Sequence, residues 1–408
     1  MKNKLFGNIG LLYLFAFLSA MRFDRALWML YLVERGLNMS QVGLIESLFH
    51  AVIVLFEVPT GMVADLYGRK HSLLMGSLLS FFYALLMMIG GHFFVFSLAF
   101  ALAGLAGTFR SGADNALLYD TLLHSGKTED YTKVSGNMLA ISLVAMSAAQ
   151  WLGGVVAEFS WNWVYLGMLM VNGLLFIPLL LMKEPPRDSQ ASPNHQEKIP
   201  VRQRWKNQFA ESWRVWKQEY TLRSPLILFI TLSCAMVIVM FYGQAFFSRM
   251  GFRSSEIGLI FTVESLLAVI VAKFAYRIER RWTFGKLLVS IYLLICCLMG
   301  LFAVLHGWSA VAAFFFMGNL SVVLDPIFSH YVQSKIASSQ RATFFSFISL
   351  ATSLGTMILF PAFGVLVDRW GFDLAFGMLA AFMTFLLICL KRMAKYEKTT
   401  AETVTDRG

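Results

Sequence analysis

The sequence is poor in charge. Only 14% of its 408 residues are Asp, Glu, Lys or Arg, against about 25% in an ordinary soluble chain. With 58% hydrophobic residues and a mean hydropathy of +0.64, a water-soluble globule of this length could not hide its apolar surface. Disorder, collagen-like sequence and a nucleic-acid-binding domain are excluded with it. Cysteine is sparse too. Cys234, Cys296, Cys297 and Cys389 lie inside apolar runs, without zinc-like spacing or a disulfide framework, and read as small buried hydrophobes. A G-x-x-x-x-G-K-[ST] loop is missing, as are G-x-S-x-G and H-E-x-x-H constellations, so nothing points to ATP hydrolysis, an enzyme, a metal site or a cofactor. Met1-Lys2-Asn3-Lys4 is basic like the start of a signal peptide. The apolar run behind it is too long and lacks a small-x-small cleavage site, so it reads as an uncleaved first span.

What the chain has is long apolar runs. A membrane-crossing helix needs about 20 mostly apolar residues. Twelve runs qualify: 7–33, 39–66, 72–91, 93–121, 133–157, 161–182, 225–248, 255–277, 284–305, 308–334, 343–367 and 372–391. The expected fold is an all-α membrane protein, its twelve transmembrane helices forming two pseudo-symmetric six-helix bundles, 1–182 and 225–391. A polar linker, 183–224, joins them and a tail, 392–408, follows. Within the linker, Trp205, Phe209, Trp213 and Trp216 share one helical face among Lys and Arg. That pattern predicts an amphipathic helix lying on the bilayer or on the protein's own surface. The formal net charge is +10, and its placement gives the orientation. Lys and Arg crowd alternate loops, while the other loops hold only Arg35, Arg249, Arg253 and Arg369. The positive-inside rule then puts both termini in the cytoplasm of a bacterial-type inner or plasma membrane.

The halves repeat. Tyr31 to Ile45 (YLVERGLNMSQVGLI) aligns at an offset of 215 with Phe246 to Ile260 (FFSRMGFRSSEIGLI), matching Gly36 with Gly251, Ser40 with Ser255 and Gly43-Leu44-Ile45 with Gly258-Leu259-Ile260. At an offset of 210, Gly154-Val155 pairs with Gly364-Val365, Gly167-Met168-Leu169 with Gly377-Met378-Leu379, and Glu158 with Asp368. Parallel six-span halves describe a carrier that alternates access about its midplane.

The loop after the second span reads Gly61-Met62-Val63-Ala64-Asp65-Leu66-Tyr67-Gly68-Arg69-Lys70. It resembles the G-x-x-x-D-x-x-G-R-[KR] motif of the major facilitator superfamily, at the place where that family carries it, and the duplication extends the resemblance over nearly the whole chain. Gly61 would permit close helix approach and Gly68 a tight turn. The resemblance implies that Asp65 meets the N-terminus of span eleven, near Ala342. It also implies that Arg69 links to an acid at the base of span four, here Asp120, so that the group forms a conformational lock. In the second half Arg280 stands where Asp65 would be, so the lock is one-sided. The chain also resembles drug-exporting members. Ala149-Gln150-Trp151-Leu152-Gly153-Gly154 keeps the terminal glycines of their G-P-x-x-G-G but not its Gly-Pro. Arg110 falls where proton-coupled members carry a buried arginine, followed here by Ser111-Gly112 instead of Gln-Gly.

Ionisable residues inside spans cost about 2.5–3.5 kcal/mol each at the centre. This chain places Arg22, Asp24 and Arg25 in span one, and Glu46, His50 and Glu57 in span two. Arg110 and Asp114 lie in span four, Glu264 and Lys273 in span eight, and Asp325 in span ten. Depth counting puts Glu57 level with Arg110, and Lys273 level with Asp325, predicting two buried ion pairs. Each serves either as helix-to-helix glue or in proton coupling, with Glu57 the first candidate carrier and Asp24, Glu46 and Asp114 the next. Glu46 and His50, four apart, share a helix face and suit a short relay. Arg22, Asp24 and Arg25 suit a self-neutralising cluster near Glu46. Pro326, after Asp325, suits a hinge. Tyr31, Phe56, Tyr119, Phe241, Tyr242 and Phe328 are candidate cavity walls. The expected function is proton-coupled secondary transport, exporting amphipathic small organic molecules or drugs, by a monomer whose partners are protons, substrate and the lipid bilayer. A proton-coupled nutrient symporter and a transporter-like receptor without flux are the alternatives.

Overall fold

The structure, a computed structural model, describes residues 2–185 and 220–405. The amphipathic stretch around Trp205 to Trp216 lies outside the described residues. Everything described is helix and short connection. The first half comprises α1 (Lys2–Ala20), α2 (Trp28–Glu34), α3 (Met39–Tyr67), α4 (Arg69–Ile89), α5 (Phe93–Arg110), α6 (Ala113–Ser125), α7 (Tyr131–Phe159), α8 (Trp161–Leu174) and α9 (Phe176–Leu181). The second comprises α10 (Tyr220–Arg249), α11 (Ser254–Ala272), α12 (Ala275–Glu279), α13 (Phe284–Phe302), α14 (Trp308–Lys335) and α15 (Ser338–Thr405), the last passing through a non-helical Gly371 at φ 80°.

Ten of the described helical runs are long and apolar enough to cross a membrane. The difference from twelve has a physical cause. The expected first span, 7–33, is cut at 21–27, leaving an apolar piece Gly7–Ala20 that is short for a crossing. The expected eleventh and twelfth spans are joined in one run that bends only at Gly371. Two boundaries move as well. Helix α10 begins at Tyr220 and carries Pro225 in its early turns, and α15 continues to Thr405, through most of what the sequence sets aside as a tail. The chain is thus a multi-pass membrane protein. Large apolar side chains such as Leu55, Phe94, Leu139 and Phe385 lie open on helix flanks, where lipid would cover them.

The described residues form two compact units. Residues up to 185 join Phe247–Ser265 in the first; residues 220–246 join those from Leu266 on in the second. One cluster in the first unit packs Leu12, Phe15, Leu73, Leu117, Leu122 and Leu179. In the second, Phe328 stacks on Phe229 with ring centroids 3.8 Å apart, within a cluster that includes Leu226, Val332 and Phe344.

The repeat at offset 215 survives in hydrogen-bond detail. Gly36 and Gly251 both take φ +91°. In each copy the residue after the glycine donates back five residues, Leu37 N to Leu32 O at 3.1 Å and Phe252 N to Phe247 O at 3.2 Å. This is the helix-ending turn that favours glycine. The next helix then starts the same way twice: Asn38 N donates to Gln41 Oε1 at 3.1 Å, and Arg253 N to Glu256 Oε2 at 2.8 Å. Among the cysteines, Cys234 and Cys296 are buried as expected, while Cys297 is exposed and Cys389 half-buried. Cys297 follows Cys296 by about 100° around the helix, which turns it off the buried face.

Candidate functional site

The first helix breaks where charge begins. From Leu11 to Ala20 the sequence is almost wholly apolar; then follows Met21-Arg22-Phe23-Asp24-Arg25. Residues two apart do not face each other on a helix, so Arg22 can meet Asp24 only where the helix is left. The structure does this: residues 21–27 are non-helical, and Arg22 Nη2 lies 3.4 Å from Asp24 Oδ1. The Asp24 side chain is fully buried and also accepts the Tyr83 hydroxyl on Oδ2. Arg22 lies over the Tyr83 ring, 5.5 Å from its centroid. The Asp24 carbonyl then accepts from Leu27 N and Trp28 N at 2.8 and 2.7 Å, starting α2. Space for the break comes from Gly153 of α7. A Cβ there would sit 1.9 Å from the Phe23 carbonyl oxygen.

A second break sits at Ser111-Gly112, with Gly112 at φ +71°. Arg110 is the last residue of α5 and Asp114 lies in the first turn of α6, each on the side its helix dipole favours. The Arg110 stem crosses Gly76 of α4, where a Cβ would come within 2.8 Å of Arg110 Cγ. Its guanidinium lies 5.6 Å from the Phe15 ring centroid. Among the described residues it has no hydrogen bond and no ion pair within 4.0 Å. Its electrostatic neighbours are Arg22 and Asp114.

Between the breaks lies a cavity of about 130 Å³. Its wall includes Ser19, Arg22, Phe49, Ser80, Tyr83, Arg110 and Asn172. The charged residues in that wall are both arginines. Behind it, Glu46 is buried with His50 Nε2 3.6 Å away. Arg25 sits in the field of Asp24, Glu264, Glu46 and Arg22.

Arg22, Asp24 and Arg25, expected as a cluster near Glu46, are therefore neighbours, and Glu46 and His50, expected as a relay, lie side by side. The two depth-matched pairs are not. No ion pair joins Glu57 to Arg110 or Lys273 to Asp325. Glu57, Lys273 and Asp325 are exposed, whereas Arg110 turns toward Phe15 and Gly76. Asp114 is half-buried and accepts its neighbour Asn115's amide at 2.8 Å. Pro326 sits inside an α14 that stays helical from Trp308 to Lys335.

The Asp65–Lys70 loop is also differently wired. Arg69 Nη1 pairs with Asp65 Oδ1 at 2.9 Å, one turn back, and no ion pair links Arg69 to Asp120. Gly68, at φ +110°, makes the tight turn. A Cβ at Gly61 would meet nothing within 4 Å among the described residues, so close approach is not its role here. The amides of Arg69 and Lys70 donate to the two oxygens of Glu184, at 2.8 and 3.0 Å. That puts a carboxylate on the positive end of α4. Lys70 Nζ reaches the Leu180 and Met182 carbonyls, and Asn8 exchanges hydrogen bonds with the Lys183 backbone. Glu184 was visible in the sequence only as the start of the linker. An acid just past an apolar run, with two prolines behind it, was the available signal.

Of the candidate wall aromatics, Tyr31, Tyr242 and Phe328 are core. The two tyrosines donate to the Met87 and Phe360 carbonyls at 2.6 and 2.8 Å. Phe56 and Tyr119 are exposed and Phe241 is half-buried. None of the six lines the cavity.

Next to Gly153 on α7, close packing continues. Cβ atoms at Gly154 and Gly258 would lie 2.4 Å from Ser254 O and 2.6 Å from Gln150 O. Glu158 Oε1 accepts from the Ser255 hydroxyl and, at 3.3 Å, from its amide. Those two donors hold the Glu158 carboxyl below its usual range.

Comparison with known proteins agrees with this architecture. The family model described as Major Facilitator Superfamily matches residues 9–345. A curated relative, the uncharacterized MFS-type transporter YxaM of Bacillus subtilis (strain 168), is 22% identical over 380 residues, covering 90% of this chain and 91% of its own. The crystal structure of the nucleoside transporter NupG superposes with a TM-score of 0.75 at 14% identity, covering 97% of this chain and 100% of that one. A POT family transporter in complex with a thioalcohol-conjugated peptide gives 0.68 at 12% identity, covering 95% and 96%. A D-xylose-proton symporter gives 0.59 at 13% identity, covering 94% and 96%. At these identities the likeness speaks for fold.

Proposed function

The chain belongs to the Major Facilitator Superfamily, and from that premise we propose a proton-coupled secondary transporter that moves a small polar solute by alternating access. In this reading the broken first helix counts as one crossing and the run through Gly371 as two, which restores twelve spans in two six-helix bundles. The Lys/Arg-rich loops and both termini face the cytoplasm. The observation that carries the proposal is the cavity between two helix breaks. Broken helices with charge at membrane depth mark substrate and ion sites in carriers. Its wall carries two guanidiniums, two serine hydroxyls, a phenol and a carboxamide, which suits a hydrophilic cargo better than the amphipathic drugs the sequence suggests. Nucleoside, xylose and peptide carriers among the structural neighbours support the same preference.

Glu46 takes over from Glu57 as the first proton carrier. It is buried beside His50, with Arg22 and Arg25 in its field, and Arg25 in turn lies in the field of Asp24 and Glu264. A buried carboxylate that loses its cations to a moving helix or to a substrate takes up a proton. Asp24 is less suited, because Arg22 and Tyr83 already occupy it.

The test uses the full chain in liposomes loaded with a pH-sensitive dye. Uridine, xylose, dialanine, succinate and tetraphenylphosphonium are added in turn. Proton movement with a polar solute, and none with the lipophilic cation, is the expected result; its sign separates uptake from export. Glu46→Gln should abolish solute-driven proton movement while leaving solute exchange intact. Coupling unchanged in that variant would remove Glu46 from the mechanism. A response to tetraphenylphosphonium alone would restore the drug-export reading.

A further inference from the structure

The cavity offers hydrogen-bond donors with an unusual bias. The hydroxyls of Ser19 and Ser80 are spent on the carbonyls of Ala16 and Gly76, at 3.2 and 2.9 Å. Asn172 gives an N–H to Met168 O at 2.8 Å, and Tyr83 gives its proton to Asp24. Arg22 uses Nε and Nη2 on Asp24, leaving Nη1 free for another acceptor. Arg110 uses none of its five N–H donors among the described residues. The donors left for a ligand therefore come chiefly from guanidiniums. Among the described residues no carboxylate shares the wall with them. Asp24 lies behind Arg22, already neutralised, and Asp114 lies beyond ion-pair distance of Arg110.

A guanidinium at membrane depth without a counter-charge is costly. Here Arg110, with no ion pair within 4.0 Å among the described residues, shares one cavity with Arg22, which Asp24 pairs and which lies close enough to repel it. The arrangement persists because the structure holds both in place: Asp24 and Tyr83 fix Arg22, while Gly76 and Phe15 channel Arg110. Such a site is complementary to an anion. Arginine forks match carboxylate and phosphate oxygens two at a time. The volume admits several waters or one such group, and not a whole metabolite.

We propose that this cavity is the headgroup subsite for a small organic anion, with Arg110 and the free side of Arg22 binding one carboxylate or phosphate of the cargo. The proposal rests on the cavity being the transport site and narrows its substrate class. It also gives coupling a cause. An anion drawing Arg22 away leaves Glu46 with less positive charge nearby, which favours its protonation. Anion and proton would then occupy the carrier together.

The experiment uses the purified full chain, with succinate, lactate, glycerol 3-phosphate, inorganic phosphate and sulfate as probes and uridine and glycerol as neutral controls. Binding is read by thermal stabilisation. In wild-type protein it is also read by protection of Arg22 and Arg110 from phenylglyoxal, located by peptide mass. Organic anions should stabilise the protein and slow modification of both arginines; neutral solutes should do neither. Arg110→Gln should weaken binding about tenfold or more, and Arg110→Lys less, since it keeps charge without the fork. Carboxylate probes acting alone assign a carboxylate cargo; glycerol 3-phosphate acting alone assigns a phosphate ester. Stabilisation by inorganic phosphate or sulfate without either organic class, no effect from any anion, or protection by uridine equal to that by succinate would each overturn the proposal. The protection assay on wild type keeps the test decisive should the variants misfold. Anion binding without proton movement in the liposomes would leave this subsite standing and remove the transport reading. Proton movement driven by a neutral solute, indifferent to Arg110→Gln, would do the reverse.

Discussion

At an offset of 215 residues, Arg22-Phe23-Asp24-Arg25 stands against Val237-Ile238-Val239-Met240. The first segment is broken and polar; the second lies inside α10, unbroken from Tyr220 to Arg249. The packing partners differ to match. Gly153 makes room for the bulging Phe23 backbone, and its counterpart at offset 210 is Phe363, buried with its ring 4.8 Å from that of Tyr242. One copy of the repeat has spent its side-chain volume on a kinked backbone with charges at the kink. The other keeps an unbroken helix and fills the same place with an aromatic ring. A shared topology has been divided into a chemical half and a packing half.

The comparison breaks most visibly at Gly153. Gly153→Ala puts a methyl 1.9 Å from a backbone oxygen, an atom that cannot rotate aside. A loss of about 3 kcal/mol is expected, seen as a large fall in the unfolding temperature of the detergent-purified protein. Gly300→Ala, in the second half, meets nothing within 4 Å and should gain about 0.8–1 kcal/mol, what helix propensity gives. Equal falls for the two variants would mean the break at 21–27 is not held by close approach.

Next in size is the charge itself. Asp24→Val copies the second half's Val239 but strands Arg22 beside a buried Tyr83 hydroxyl; a cost of about 2–3 kcal/mol follows. Adding Arg22→Val removes the stranded cation and should recover part of that loss. The double variant is therefore expected to be more stable than Asp24→Val alone, a non-additivity that unfolding measurements on the cycle would show. Simple additivity would mean that the pair is not coupled.

This asymmetry also explains what could be read from the sequence. Hydropathy located most of the helical runs, though not the interruption at 21–27 or the joining of the last two spans, and the repeat was legible down to Gly36 and Gly251, because both depend on runs of residues. The expected pairing of Glu57 with Arg110 failed, because depth along a straight helix fixes height but not rotation, and each residue turns the face by about 100°. The break at Ser111-Gly112 turns the segment carrying Asp114 away from the line of α5, and the break at 21–27 removes the helix on which Arg22 and Asp24 were placed. The information was present as an i, i+2 charge pair, which a helix cannot satisfy. Glu184 was hidden for another reason. Its partners are backbone amides more than a hundred positions away, and amides leave no mark in a sequence.

The smallest effect sharpens the comparison at a place where the two copies agree in sequence. Glu158 and Asp368 both close their helices with an acid at offset 210. Glu158 accepts two hydrogen bonds from Ser255 and is held below the usual carboxylate range by them. The sign follows from linkage. A carboxyl whose folded value is lowered stabilises the contact above its ordinary value of about 4.3 and loses that contribution as the pH falls through the lowered one. Glu158→Gln keeps an acceptor but no charge. Wild type should therefore unfold at a slightly higher temperature than the variant near pH 7, with the gap closing as the pH falls through the lowered value. The side chain is exposed, so added salt should narrow the same gap. A gap that stays constant with pH and salt would assign the contact between α7 and α11 to the glycine packing at Gly154 and Gly258 alone.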